Sequence, residues 1–237
     1  MTVAFDVYVG PLTLYYAGQW ENLGQRYARQ SGGTYHMIRT EGSDDRVTDL
    51  AVLRPALVEW RRQLNEALGS NIAEPLDWDE ASSEYATGRP NWDGYIALRL
   101  WAAYAEHPDL MLPLHAGELE EDPAYRRSTA KAAGSSRFPH LIRSIEFWLP
   151  SPFEFTFKAD APNGDAVDFG SAATLLEHLQ DLNDATWKAD QATIAMWGMA
   201  SPSPEAPFEQ AAKYGFSTLL TLAKYACEKH MPMKLDY

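Results

Sequence analysis

The stretch WDGYIALRLWAAY, residues 92–104, decides the fold more than any other part of this 237-residue chain. Its apolar side chains occur around the whole helical circumference instead of along one stripe, and Asn91 before it is a residue type that often caps helices. A helix that is apolar on nearly every side is buried. The sequence therefore predicts a central helix here, with the rest of the chain packed around it.

Strand patterns lie on both sides of this helix. Residues 3–9 alternate between apolar and polar or small side chains, which is typical of a half-buried strand. Residues 153–157 alternate phenylalanine with polar side chains, and Asn163-Gly164 is a favoured hairpin turn before a return strand at 167–169. The sequence predicts a hairpin near 153–169.

The remaining patterns are mostly helical. A helix near 20–30 followed by β-branched and aromatic residues at 34–39 predicts a β-α-β start. Further helices are predicted from about 49 to 68, with Pro55 beginning a new segment, from 171 through to 197, and from 208 to 229. We therefore expect one domain over residues 1–237, of the α+β class, helix-rich, with a small mixed or antiparallel sheet that includes the hairpin.

The acidity of the chain is concentrated in its middle. The formal net charge is −13, and residues 71–123 hold 12 acidic and two basic side chains, a net charge of −10. Nucleic acid is a poor partner for such a surface, because phosphate binding is driven by lysine and arginine. The distribution favours a basic protein as partner.

Composition also indicates a compartment. Residues 1–6 lack the basic and apolar regions of a secretory signal, and no stretch approaches the roughly 20 apolar residues that span a bilayer. Cys227 is the only cysteine, so no internal disulfide forms, and its apolar helical surroundings indicate a buried structural thiol. We expect a cytoplasmic protein with no membrane partner.

Signatures of metal and cofactor chemistry are missing from the sequence. None of the six histidines pairs with another at metal-ligand spacing, and Cys-x-x-Cys is absent. No glycine-rich phosphate loop and no Gly-x-Ser-x-Gly motif occurs. We expect no metal and no cofactor. The absence of these motifs also makes a catalytic function less expected than a binding function.

Carboxylates remain as the abundant polar groups, and three interpretations stay open. In the first, a small hydrolase or transferase uses aspartates near Trp78 and Trp92 as general acid and base, with Asp77, Asp93 and His107 forming a pocket. In the second, these acids cap helices and turns while the tryptophans fill the core. In the third, exposed acids surround aromatic anchors on a recognition surface. A self-associating protein with an apolar dimer patch is a further alternative.

The recognition hypothesis assigns its contacts to two irregular acidic segments within residues 74–122. The carboxylates would meet a basic protein, with a tryptophan and a tyrosine as aromatic anchors. The predicted partner-binding residues are Asp77, Trp78, Asp79, Glu80, Glu84, Tyr85, Glu118, Glu120, Glu121 and Asp122.

Several segments carry a resemblance. The opening FDVYVG (5–10), the segment EPLDWDE (74–80), the helix from residue 92 to Pro108 and the ending PMKLDY (232–237) resemble a little-characterised bacterial family. That resemblance implies no catalytic motif. In size, acidity and expected cytosolic placement the chain also resembles immunity proteins that neutralise antibacterial toxins, particularly nucleases. This second resemblance implies stoichiometric inhibition of a cognate toxin without a cofactor.

Overall fold

A computed structural model describes residues 5–33, 49–115, 117–130, 136–203 and 205–237 of the chain. Within these residues there are nine α-helices and six strands. The helices are α1 (Leu12–Tyr16), α2 (Leu23–Ser31), α3 (Leu50–Leu68), α4 (Trp92–Glu106), α5 (Pro123–Thr129), α6 (Pro139–Ile142), α7 (Ala172–Ala185), α8 (Gln191–Trp197) and α9 (Phe208–Lys229). Short 3-10 turns cover Gly69–Asn71 and Leu119–Glu121.

The strands form one mixed sheet. They are β1 (Asp6–Val9), β2 (Ala86–Gly88), β3 (Ile145–Leu149), β4 (Phe157–Asp160), β5 (Ala166–Ser171) and β6 (Met233–Asp236). Their order across the sheet is β2-β1-β6-β3-β5-β4. Only β3 and β5 run parallel, and the other neighbours are antiparallel. The predicted α+β class with a small mixed sheet is confirmed.

Helices cover both faces of this sheet. On one face, the ring of Tyr8 in β1 packs 5.4 Å from that of Tyr15 in α1, and Trp60 in α3 lies 6.2 Å from Phe169 in β5. On the other face, α7 and α9 contact the strands, and Phe5 next to β1 packs 4.8 Å from Tyr95 in α4. The arrangement is a three-layer stack with the sheet in the middle.

The closest helix pair is α4 with α9, and two glycines permit it. A Cβ atom added at Gly215 would lie 2.2 Å from the carbonyl oxygen of Gly94, far inside van der Waals contact. A Cβ added at Gly94 would lie 3.3 Å from the ring of Tyr214. Because no side chain separates the two backbones, the helices pack more closely than larger residues would allow.

Helix α4 carries one buried arginine, Arg99, whose charge is compensated by hydrogen bonds. Arg99 donates to the carbonyl of Ile142 at 2.7 and 3.0 Å and to the hydroxyl of Tyr125 at 3.1 Å. Its guanidinium also lies over the ring of Tyr95. These partners compensate for burial, and they connect the middle of α4 to the end of α6 and to α5.

The hairpin prediction is confirmed, with a shorter first strand. The turn at residues 161–165 contains Gly164 at φ +88°, and the Gly164 N–H donates to the carbonyl of Ala161 at 2.8 Å. Pairing begins at Phe157, opposite Phe169. The alternating residues before it pack as a phenylalanine cluster without a strand partner.

Other boundaries differ from the sequence predictions. Pro55 lies inside an uninterrupted α3 on its exposed side, so the predicted helix start there is wrong. The helix predicted through to 197 ends at Ala185, and α8 is separate. Strands β2, β3 and β6 were not predicted. The strand predicted at 34–39 lies outside the described residues.

Replacing Gly215 by alanine should destabilise the protein by about 2 kcal/mol or more. Alanine is a better helix former than glycine by about 1 kcal/mol, but the added methyl group must displace the backbone of α4. Gly117→Ala is the control, because an added Cβ meets nothing within 4 Å there. Chemical denaturation of both variants provides the comparison, and a stabilised Gly215→Ala variant would contradict the close approach.

Candidate functional site

The first acidic segment, residues 74–84, runs over α1 and α3 with side chains alternating between interior and solvent. Trp78 and Glu80 are each only 5% exposed, whereas Asp77 and Asp79 point outward. This alternation buries Leu76, Trp78 and Glu80, of which only Glu80 is an acid. The predicted contact residues of this segment therefore divide into two groups.

Glu80 is a buried acceptor that organises the chain around it. One carboxylate oxygen accepts the backbone N–H and the hydroxyl of Thr13 at 2.8 and 2.7 Å, and the other accepts the indole N–H of Trp78 at 2.6 Å. These bonds fix the first turn of α1 to the segment. Trp78 and Glu80 do not offer their side chains to a partner in this fold, and their assignment to a contact surface is corrected.

The two outward aspartates have local roles. Asp77 lies 3.2 Å from the guanidinium of Arg61, and Asp79 accepts the backbone N–H of Ala81 at 2.8 Å. Both remain exposed. They are accessible to a partner, but one of them is already paired with a cation.

Glu84, the last residue of this segment, and the predicted contact Tyr85 that follows it also bind other parts of the chain. Glu84 is exposed and pairs with Lys229 at 2.8 Å. Tyr85 is half-buried, its ring stacks on Tyr8, and its hydroxyl accepts the N–H of Glu21 at 3.1 Å. Tyr85 therefore anchors the chain to β1 and leaves only part of its ring exposed.

The second acidic segment, residues 118–122, has uncompensated charge. Glu118, Glu120 and Glu121 are exposed, and none of them takes part in an ion pair with another described residue. Asp122 differs, because it caps α5 through two backbone N–H groups and accepts the Tyr104 hydroxyl at 3.0 Å. Within the part of the chain that the structure describes, these three carboxylates therefore have no cationic partner and are exposed to a cationic surface.

Large apolar side chains are exposed in the loop after α4 and in the segment after α8. Met111 is 90% exposed and Leu114 is 84% exposed, while Met199 after α8 is 82% exposed. The carbonyl of Leu114 accepts the N–H of Phe208, the first residue of α9, at 3.1 Å. This hydrogen bond places the loop after α4 against the start of α9.

Aromatic contacts extend this region to α8. The ring of Trp101 in α4 lies 5.6 Å from Phe208 and 5.0 Å from Trp187, and Trp187 lies 5.3 Å from Trp197 in α8. The exposed residues on these elements form what we call the corner surface. It comprises Met111, Leu112, Leu114, Glu118, Glu120, Glu121, Met196 and Met199.

The two acidic segments do not form one face. The first packs on α1 and α3, through Thr13 and Trp60, on one side of the sheet. The second packs on α4 and α5, through Tyr104, on the other side. The expectation that both acidic segments within residues 74–122 face the same partner surface is therefore wrong.

The predicted catalytic pocket is not assembled either. Asp93 lies in the first turn of α4 and His107 follows its last turn, so the helical rise alone separates their backbones by about 21 Å. Asp77 is exposed beside α3, on the other side of the sheet. His107 instead contacts the Ser128 hydroxyl at 3.1 Å.

A polar cluster on β1 and β6 was not predicted. Asp6, paired opposite Asp236, accepts two hydrogen bonds from Arg89 at 2.8 and 3.0 Å, and burial raises the pKa of Asp6. The Tyr15 hydroxyl donates to Asp236 at 2.7 Å. The ammonium group of Lys234 lies 4.8 Å from the centre of the Tyr15 ring, and burial lowers the pKa of Lys234. The sequence signal for this cluster is that polar residues occur at alternate positions both in FDVYVG (5–10) and in PMKLDY (232–237).

Two histidines are buried between α6 and α7. Their ring centres lie 5.4 Å apart, and His140 accepts the Ser171 N–H at 2.8 Å. Burial and the neighbouring ring lower the pKa of His178 to about 4. Among the described residues, no three histidine, cysteine, aspartate or glutamate side chains group as metal ligands.

Comparison with known proteins adds no identity. No family model, curated protein or solved structure matches the chain. Within the described residues, no helix has the length and apolar character needed to cross a membrane.

Removing the buried carboxylate should cost far more stability than removing the exposed one beside it. Glu80→Ala leaves three donors without their acceptor, so we expect a loss of about 3 kcal/mol in the free energy of unfolding. Asp77→Ala removes an exposed ion pair and should cost less than about 1 kcal/mol. Equal losses in urea denaturation would argue against the buried role of Glu80.

Proposed function

We propose that the chain is an immunity-type binding protein that acts in the cytosol and neutralises a basic antibacterial toxin by stoichiometric association. The observation that supports this proposal is the corner surface, whose methionine and leucine side chains are exposed and whose glutamates are exposed without an ion-pair partner among the described residues. Protein interfaces combine such an apolar centre with a polar rim. A surface of this kind binds a macromolecule without chemistry of its own.

The charge of the surface selects the class of partner. Nuclease toxins use lysine and arginine to engage phosphates, so carboxylates on an inhibitor compete for the same cationic groups. Glu118, Glu120 and Glu121 carry no competing partner among the described residues. With a net charge of −13, the chain as a whole also attracts a basic protein and accelerates encounter at low salt.

The apolar side chains supply the part of the affinity that salt does not screen. Met111, Leu114, Met196 and Met199 are each more than half exposed. Methionine adapts its shape to a partner, and burying each such side chain contributes roughly 1 to 3 kcal/mol. Monomeric proteins rarely expose large contiguous apolar patches, and where such a patch occurs it usually marks an interaction site.

Charge reversal of the corner surface should abolish partner capture. The test variant is Glu118→Lys/Glu120→Lys/Glu121→Lys, and the matched control is Glu74→Lys/Asp77→Lys/Asp79→Lys. Both change net charge from −13 to −7 at exposed positions. Tagged proteins would capture partners from a lysate of the source organism, with mass spectrometry of the retained protein.

We expect the unmodified chain and the control to retain one basic protein, released as salt rises, and the corner variant to lose it. The captured protein, expressed alone, should arrest growth, and co-expression with the unmodified chain should restore growth. Equal capture by both triple variants would contradict the assignment of the surface. A captured protein that does not affect growth would contradict the immunity role.

A further inference from the structure

The buried histidines between α6 and α7 form a close pair in aromatic surroundings. His140 has no exposed surface and His178 is 9% exposed, and their ring centres are 5.4 Å apart. The ring of Phe138 lies 5.9 Å from His178, and that of Phe153 lies 6.0 Å from His140. A protonated imidazole in this place would lose most of its hydration.

A hydrogen bond determines which nitrogen of His140 carries the hydrogen. Its Nδ1 atom accepts the backbone N–H of Ser171 at 2.8 Å, so the neutral ring carries its hydrogen on Nε2. A further proton can bind only at Nδ1, where it would point at the N–H of Ser171. Protonation of His140 is therefore incompatible with this contact.

The contact that protonation would break joins several elements of the fold. Ser171 ends β5 and caps α7, since its hydroxyl accepts the N–H of Thr174 at 3.1 Å. The carbonyl of His140 accepts the indole N–H of Trp148 in β3 at 2.8 Å. A Cβ atom added at Gly170 would lie 2.9 Å from Nδ1 of His140, so the ring lies directly against the backbone of β5. His140 thus joins α6 to β3 and to the boundary between β5 and α7.

His178 is likewise buried in its neutral form. Among the described residues, its Nδ1 atom has no hydrogen-bond partner. Burial and the neighbouring ring of His140 lower the pKa of His178 to about 4, and burial also lowers the pKa of His140. The fold therefore accommodates both rings in the uncharged state and opposes the charged state of either one.

Charged groups near the pair do not compensate for its burial. Glu154, after β3, favours the protonated form of His140, whereas Arg143, after α6, opposes it, and both side chains are exposed. The acids beside His178 along α7, Glu177 and Asp181, are exposed to water as well. Three more charged groups on adjoining elements interact with other residues, and they are Arg99 and Glu106 in α4 and Arg137 before α6.

We infer that His140 and His178 form an acid-sensitive switch, which holds α6 against β3 and the start of α7 while both rings are neutral and releases it when either ring is protonated. The inference goes beyond the proposed function and does not rest on it. The released state differs from the folded one at a defined place, the contact between His140 and Ser171. Acidification therefore loosens this junction before the rest of the sheet.

The sign of the pH dependence follows from the lowered pKa values. Stability that comes from a histidine with a lowered pKa is complete above the unfolded value of about 6.5 and is lost as the pH falls through the folded value. Hydrogen bonds lower the pKa of Glu59, Asp109 and Asp190, but these acids lose their contributions only near and below about pH 4. Burial raises the pKa of Asp6, which acts in the opposite direction, so a matched variant is needed to isolate the histidines.

Replacing His178 by phenylalanine provides that comparison, because the variant keeps an aromatic ring that binds no proton. Between pH 7.5 and 5, the unfolding equilibrium constant of the unmodified chain should rise about 30-fold more than that of His178→Phe, as measured by urea denaturation. His230→Asn is the control, since residue 230 is exposed at φ +52°, which asparagine adopts readily. It should keep the dependence of the unmodified chain. Equal pH dependence of the unmodified chain and His178→Phe would overturn the inference.

The unmodified chain gives a local test that needs no variant. Trp148 donates its indole N–H to the carbonyl of His140, whereas Trp78 donates to Glu80 on the other side of the sheet. From pH 7.5 to 5, NMR hydrogen exchange should show the Trp148 indole losing at least tenfold more protection than the Trp78 indole. Equal loss at both indoles would overturn the inference. A ring proton of His178 that titrates near pH 6.5, as in a free histidine, would overturn it as well.

Discussion

The contact between Gly94 and Gly215 is the constraint on which the rest of the structure depends. At this point α4 and α9 meet backbone to backbone, at a distance that no residue with a Cβ atom permits at residue 215. Because interiors are close-packed, a shift of either helix would disturb its other neighbours as well. Helix α4 also carries Arg99, which connects it to α5 and α6, and Trp101, which packs on Trp187 in the connection between α7 and α8. The crossing therefore positions both the interior of one layer and the base of the corner surface.

The position of α9 also determines how the sheet is completed. After α9, His230 turns the chain at φ +52°, and residues 233–236 return as β6. This strand lies between β1 and β3, so it alone joins the β2-β1 pair to the β3-β5-β4 group. Burial of the polar side chains on β1 and β6 follows from this central place. Asp6, Asp236 and Lys234 are held by partners from other elements, which offsets the cost of removing them from water.

Sequence patterns predicted the helices and the hairpin, which depend on residues close together in the chain. They missed the contacts that join residues far apart in the chain. The all-round apolar pattern of 92–104 and the Asn163-Gly164 turn specify a buried helix and a hairpin locally, and both are present. Strand β2 spans only three residues and carries too short a pattern to be recognised, whereas β6 lies in an alternating stretch, 231–237, that does indicate a strand. The burial of Glu80 depends on Thr13, 67 positions earlier, which no local pattern reveals. The helical rise between residues 93 and 107, by contrast, could have excluded the pocket in advance.

The account of function depends on one surface, in which the free acids and the exposed apolar side chains both lie near the start of α9. The other acidic segment serves mainly to hold α1 and α3, since its central glutamate is buried and two of its outer acids are paired. Hydrogen exchange of the chain, free and bound to its captured partner, tests this division most directly. Slower exchange in the segments around Leu114 and Met199, with residues 74–84 unchanged, is the result that we expect. Slower exchange confined to residues 74–84 would contradict the account.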